Sequence, residues 1–438
     1  MPGHLKKLFQ SGMVIIFAFL FVLLISMVYP INNSFAATPA INTHEAPQLL
    51  TTDNFTFLPL VLNGHNAQLS EYVLLGWNDL GMHCYNRDFQ DLAVLPPYNN
   101  LWAQVIKRGD PPQIVTDQIK VEYSFPDNTY SVGKSNFWTY AQSLFNLAAP
   151  LPDNVGLTGR GLAGEMDAVV NDHFVADGIP LTEFSDSAPA TAAPYQLAEI
   201  VASDAISGEK LAELTVVAPV STEMHCDYCH FNGGVEGIST GKVETNILTL
   251  HDRENANEYP SGTGLLMNNR PVLCAGCHAS NALGAPGVNG IPNFSNAMHN
   301  KHKEIVPDTL QGCYSCHPGP TTECLRDVMS TEHNMDCVDC HGGMDKVSQN
   351  TNPWLKEPTC SQSGCHTNIT QNQPLYRNST AHGGIYCAAC HDSPHAIAPS
   401  REANDSIKFF QLQNQAGPLN QCLVCHITQP EMVDPHSF

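Results

Sequence analysis

Cys337-Val338-Asp339-Cys340-His341 is the stretch on which this chain turns. Two cysteines stand three positions apart and a histidine follows directly. The same spacing occurs at Cys226/Cys229/His230, Cys274/Cys277/His278, Cys313/Cys316/His317, Cys387/Cys390/His391 and Cys422/Cys425/His426. A seventh copy, Cys360/Cys365/His366, is wider, with four residues between its cysteines. In a chain with 16 Cys and 20 His among 438 residues, chance supplies about 0.03 copies of the five-residue form, so the repetition is built in. The middle motif histidines, 317, 341, 366 and 391, follow one another at intervals of 24, 25 and 25 residues. The motif is therefore also the repeat unit of this part of the chain.

The spacing has a chemical reading. Two thiols on one short turn can add to the two vinyl groups of a single porphyrin, and the next residue then aims its imidazole at the iron. The expectation is seven covalent haems c, each with its motif histidine as proximal ligand. The wider motif closes on its haem through a larger loop. Competing readings explain less. Zinc ribbons pair cysteines but need no histidine after each pair. Redox Cys-x-x-Cys sites do not recur six times in one domain.

Around the motifs the chain divides into four stretches. Residues 1–36 read as an export signal. Lys6 and Lys7 precede an apolar run from Met13 to Tyr29, and Ser34-Phe35-Ala36 offers a cleavage site. Residues 37–70 are a polar linker with one apolar run, Phe55–Leu62, readable as a strand or a docking arm. Residues 71–221 hold one Cys and short apolar runs broken by turn residues. The expected strands are Tyr72–Gly76, Leu101–Ile106 and Ile119–Phe125. A hairpin of Tyr195–Ser203 and Lys210–Val217 turns at Ser207-Gly208, and Phe137–Asn146 is a short helix. Residues 222–438 carry 15 of the 16 cysteines, with few periodic apolar segments. The fold class expected is α+β/irregular: an N-terminal β-rich, sandwich-like domain, then a haem-packed multihaem cytochrome c domain of short helices and long loops. A stretch so poor in regular pattern makes sense if something other than side chains fills its core.

The formal net charge of −22 excludes nucleic acid, whose phosphates need Lys and Arg. It disfavours anionic membrane surfaces equally. Removing Lys6 and Lys7 with the signal takes the charge to −24, and no stable membrane insertion is expected after cleavage.

Each iron has a second axial position. A side chain there makes the site a pure electron carrier, whereas an open position admits a substrate. Seven motif histidines and His4 of the signal leave twelve histidines. Position selects His83, His251, His299, His302, His333, His382 and His395 as distal candidates. His299 and His302 share one helical face and can serve two haems. His225 and His436 are reserves, and His44 and His65 fall in the linker. Met82, Met298 and Met335 are alternative ligands that would raise a haem's potential. His83 as a ligand would place the β-rich domain over one haem. Cys84 and Cys324 belong to no motif, and in an exported chain they are the candidate disulfide.

The seven motifs make residues 222–438 similar to the multihaem c-type cytochromes of respiratory and extracellular electron transfer. Leu80-Gly81-Met82-His83-Cys84 and Leu95-Pro96-Pro97-Tyr98-Asn99 resemble segments of large exported members of that group. The resemblance implies bis-histidine haems assembled outside the cytoplasmic membrane, in a periplasmic, cell-surface or extracellular protein. Implied partners are redox proteins or an extracellular acceptor. It also implies that some members polymerise into filaments, here through haem-edge or N-terminal arm contacts. Multihaem nitrite and hydroxylamine reductases are similar too. Their catalytic haem typically has Lys in place of the motif histidine, and all seven motifs here end in His, so an electron carrier is expected over a reductase with one open haem.

Overall fold

The computed structural model describes residues 70–369, 371–431 and 436. The expected signal, all of the linker except Ser70, the Phe55–Leu62 run, His44 and His65 lie outside the described residues.

The first half is built on one strand that is buried on both faces. Strand β4 (Asn99–Lys107) pairs antiparallel with β1 (Tyr72–Trp77) on one side and β9 (His173–Ile179) on the other. Its side chains alternate. Leu101, Ala103 and Val105 face an inner core, while Trp102 and Ile106 face the opposite way, towards the cysteine-rich stretch. Two short strands, β5 (Gln113–Ile114) and β8 (Asp167–Val169), complete this five-stranded sheet.

A second five-stranded sheet lies across the inner core. Its order is β2 (His83–Cys84), β11 (Lys210–Ser221), β10 (Tyr195–Asp204), β6 (Ile119–Ser124) and β7 (Ala163–Glu165). Strands β10 and β11 form the hairpin around Gly208, whose φ of +74° suits glycine. Val121, Tyr123, Ile200, Leu214 and Val216 pack between the sheets against Leu74, Val105 and Phe174. Helix α1 (Phe137–Leu144) adds Phe137 and Ala141 to that core. Strand β9 has no clean period in sequence because Gly178 interrupts it as a bulge. The register passes from Asn99↔Ile179 to Asn100↔Asp177, and Gly178 takes φ +85°.

The second half contains little regular structure. Its helices are α2 (Asp227–His230), α3 (Val243–Asn255), α4 (Phe294–His302), α5 (Leu310–Tyr314), α6 (Val328–His333), α7 (Cys337–His341), α8 (Met344–Gln349), α9 (Cys387–His391) and α10 (Ile407–Gln413). Between them run 3-10 turns and loops. Strand β12 (Val272–Leu273), just before the second motif, pairs parallel with β3 (Leu92–Ala93). Of 42 buried apolar residues among those described, 31 precede residue 222, and five of the 11 that follow are alanines. The cysteine-rich stretch thus has almost no side-chain core of its own. Its largest apolar cluster borrows the outer face of the first sheet. There Leu75, Trp77 and Ile106 meet Tyr376, Tyr386, Ala388 and Ala389, with Cys360, Cys387 and Cys425 packed alongside.

Two desolvated ion pairs brace the cysteine-rich stretch, and the lysine of one of them also reaches the first sheet. Arg326 donates from Nε (2.7 Å) and Nη2 (3.0 Å) to the Asp405 carboxylate, with both side chains almost fully buried. Lys408 lies 3.1 Å from Asp392, and its Nζ also donates to the Gly76 carbonyl of β1 at 3.4 Å. Among the described residues no helix is long and apolar enough to cross a membrane.

Candidate metal centres: paired imidazoles

Each five-residue motif closes one tight turn. The histidine N–H reaches the carbonyl of the motif's first cysteine at 2.9 Å in Cys226–His230, Cys313–His317 and Cys422–His426, and at 3.0 Å in Cys274–His278. The motifs at 337–341 and 387–391 are single helical turns, α7 and α9. The wider motif keeps the same closure. His366 N–H donates to the Cys360 carbonyl at 3.1 Å, so the two extra residues bulge out without breaking the link between the first cysteine and the histidine.

The second motif is a 3-10 turn, and Cys277 lies just beyond its end. Cys277 N–H donates to the Cys274 carbonyl at 3.2 Å, and the Cys277 carbonyl accepts from Val288 N–H at 2.8 Å. The backbone of Cys277 is thus fixed from both sides while its thiol stays half-buried and unbonded. Neither Cys277 nor any other motif cysteine is in a disulfide: Cys226, Cys229, Cys274, Cys313, Cys316, Cys337, Cys340, Cys360, Cys365, Cys387, Cys390, Cys422 and Cys425 are likewise unpaired. Each turn commits its two thiols to one short arc ahead of the histidine, which leaves both available to a single bound group.

Six motif histidines face a second imidazole. The pairs and ring-centroid separations are His230–His302 at 6.4 Å, His278–His251 at 6.2 Å and His317–His299 at 6.1 Å. His341–His395 and His426–His382 follow at 6.1 Å, and His391–His436 at 6.0 Å. This narrow range has a physical meaning. Two nitrogens each about 2 Å from one metal, on opposite sides, with centroids about 1.1 Å behind them, put the rings about 6.3 Å apart. Direct ring stacking is tighter, as His225 on Tyr228 (4.3 Å) and His173 on Trp102 (4.3 Å) show.

The ring nitrogens are sorted the same way. Nδ1 is engaged by the protein in His251 (Tyr259 hydroxyl, 2.7 Å), His278 (Pro292 carbonyl, 2.8 Å) and His299 (Ser295 carbonyl, 2.8 Å). It is likewise engaged in His302 (Met298 carbonyl, 2.7 Å) and His426 (Asp110 carboxylate, 3.2 Å). An Nδ1–H held by an acceptor leaves the Nε2 lone pair for a metal, the usual outer-shell arrangement. Burial also pushes His230, His251, His299, His341 and His391 below the ordinary imidazole range and takes His395 down to about 3. Neutral imidazole is the form that coordinates.

The backbone concentrates strain at two of these residues. His382 (φ +41°) and His395 (φ +65°) sit in the left-handed region that side chains other than glycine's avoid. His395 is fixed there by its neighbours. Arg326 N–H donates to its carbonyl at 2.9 Å, and Val328 N–H donates to the Ile397 carbonyl at 3.2 Å.

Five distal candidates from the sequence, His251, His299, His302, His382 and His395, therefore fall in pairs. So does the reserve His436. His83 does not. Its Nε2 is spent on the Pro96 carbonyl at 2.9 Å, and its ring packs on Tyr98. It lines a cavity of about 310 Å³ with Asp79, Met82, Tyr98 and Arg377 instead. His225 likewise spends Nε2, on Glu223 at 3.1 Å. His333 is exposed at the end of α6, and among the described residues no imidazole opposes His366 at the paired spacing. Of the alternative methionines, Met82 lies in the His83 cavity, and Met298 offers its backbone carbonyl to His302. Cys84 and Cys324 are not joined by the expected disulfide, and the Cys324 thiol lies 3.7 Å from His395 Nδ1. The two are nonetheless neighbours, since Cys324 adds to the burial that pushes the Cys84 thiol up.

The residues that orient the last motif escape sequence inspection. The β4–β5 loop clamps it. Arg108 Nη2 donates to the His426 carbonyl at 3.2 Å, and Gly109 N–H to the Cys425 carbonyl at 3.3 Å. Asp110 accepts from His426 and from the Thr428 hydroxyl (2.7 Å), which helps hold its carboxyl below the usual range. The only signal was an Arg-Gly-Asp-Pro-Pro turn, which reads as an ordinary strand connection.

No known family, curated protein or solved structure matches this chain.

Each of the six pairs offers two facing imidazoles. Among the described residues no three or more His, Cys, Asp or Glu side chains converge as a metal cage.

Proposed function

We propose that this chain is a multihaem c-type cytochrome that carries electrons through seven covalently bound haems, six of them ligated by two histidines. One observation carries the reading: six motif histidines stand 6.0–6.4 Å from a second imidazole, the separation a single iron requires. The thiols on each turn supply the covalent attachment, and the scarcity of buried apolar side chains leaves the interior to the macrocycles. Bound haem c supplies a one-electron iron couple. The protein's part is to hold each ligand pair, keep the imidazoles neutral and set the spacing of the sites. The export signal in the sequence supports assembly outside the cytoplasm, with redox proteins or an extracellular acceptor as partners.

Haem quantification by pyridine haemochrome, with intact mass and electron paramagnetic resonance, tests it. The expected result is seven covalent haems with at least six low-spin signals. A purified, exported chain without covalent haem would overturn it.

A second reading, a reductase of nitrite or hydroxylamine type, rests on His366, which lacks the paired partner among the described residues. A high-spin ferric signal assigned to that site, with nitrite binding, would favour it. A wholly low-spin spectrum would remove it.

A further inference from the structure

Number the attachment sites 1 to 7 by the order of their motifs in the chain. Their neighbours in space follow a different order. Helix α3 joins sites 1 and 2. Its Asn246 donates to the His230 carbonyl at 2.9 Å, and its His251 faces His278. The Cys226 and Cys274 thiols are electrostatic neighbours. Helix α4 joins sites 1 and 3, because His302 faces His230 while His299, one turn back, faces His317. Cys316 in turn is a neighbour of both Cys226 and Cys229.

From site 3 the row follows the chain. Met344 N–H, just after the fourth motif, donates at 2.7 Å to the carboxylate of Asp308, just before the third, and Cys337 neighbours Cys313, which joins sites 3 and 4. Gln362 donates from Nε2 to the Cys340 carbonyl, and Cys340 neighbours Cys360 and Cys365, which joins sites 4 and 5. Cys360 and Cys387 pack on the same apolar cluster, and His366 neighbours His391, which joins sites 5 and 6. Leu419 N–H donates to the Cys390 carbonyl at 2.9 Å, and Cys390 neighbours Cys425, which joins sites 6 and 7.

We infer that the seven attachment sites form one unbranched row in the order 2–1–3–4–5–6–7. The first motif of the chain is second in space. The ends of the row are site 2, with Cys274 and Cys277, and site 7, with Cys422 and Cys425. Those two sites are where exchange with redox partners takes place. The inference rests on the proposed function, because a row of haem sites matters only if haems occupy it.

The test is the position of seven irons in the wild-type holoprotein, located by anomalous scattering at the iron edge. The iron of site 1 is expected between those of sites 2 and 3, with one near neighbour each for sites 2 and 7. An iron of site 1 at an end of the row, or a branch, overturns the order while leaving the proposed function intact. Absence of iron overturns the function itself. A pair of variants gives a second readout. Cys226→Ala with Cys229→Ala should alter the spin coupling of two remaining sites, 2 and 3. Cys274→Ala with Cys277→Ala should alter only site 1. The converse pattern would overturn the order.

Discussion

Asp405→Asn removes the only full negative charge among the described residues that hydrogen-bonds the fully buried Arg326 guanidinium. In the parent, Arg326 and Asp405 have side chains 1% and 2% exposed and share two hydrogen bonds of 2.7 and 3.0 Å. Ser400 completes the carboxylate at 2.6 Å, and Arg326 Nη1 also binds the Cys324 carbonyl at 3.1 Å. Breaking a buried pair by neutralising one partner costs about 3–5 kcal/mol, because the other charge stays desolvated and uncompensated. With an m-value of about 3 kcal/mol/M, the urea midpoint should fall by about 1–1.7 M. The loss should also be local in its effect. Arg326 N–H holds the His395 carbonyl, and Arg401 N–H holds the Arg326 carbonyl at 3.0 Å, so the loop that presents His395 to His341 depends on this anchor. Urea unfolding should therefore be run beside paramagnetic resonance, where one low-spin signal changes and the others persist. Arg326→Met/Asp405→Leu, which removes both charges, should recover most of the stability. A single variant within about 1 kcal/mol of the parent would refute the claim that this pair is desolvated and anchoring.

Four further outcomes are expected. Burial, reinforced by Asp177, raises the Asp79 carboxyl from 3.8 to about 7. Between those values the folded state keeps a proton that the unfolded state has lost, so stability falls as pH rises from about 4 to 7 and is level above. The slope from this group is at most about 1.4 kcal/mol per pH unit, and it should vanish in Asp79→Asn when parent and variant urea curves are subtracted. His83→Ala should leave every haem signal unchanged because its Nε2 is already bonded, whereas His436→Ala should alter the site of His391; the opposite pair of results would refute the pairing. Asp110→Asn weakens the acceptor behind His426 and so should raise one haem potential in a redox titration, with the others unmoved. Thiol titration in denaturant, without reductant, should find two reactive groups, Cys84 and Cys324, because thioethers consume the motif thiols including Cys277; none before reduction and two after it would show that Cys84 and Cys324 are linked.

Some of this was open to inspection in the sequence alone. Attachment chemistry is local: two thiols and an imidazole must sit on one turn, so Cys337–His341 and its repeats declare themselves by spacing. The hairpin at Gly208 and the strand Leu101–Ile106 are equally local, read from period and turn residues. Even the scarcity of apolar periodicity after residue 222 pointed to a stretch with almost no side-chain core. The partner of each motif histidine is a different kind of fact. His302 and His299 lie on one helix yet serve sites 1 and 3, His395 follows motif 6 yet faces site 4, and His436 reaches back to His391. The sequence favours His333, four residues before Cys337, and His83, in its Gly81-Met82-His83-Cys84 segment, over His436, because nothing in a linear string shows that Pro96 occupies the His83 nitrogen. The clamp from Arg108 and Asp110 to His426 spans more than 300 residues. Sequence thus determines what this chain can attach. Only tertiary structure decides which imidazole closes which site and in what order the sites stand, because both depend on contacts between segments whose spacing along the chain carries no trace of their meeting.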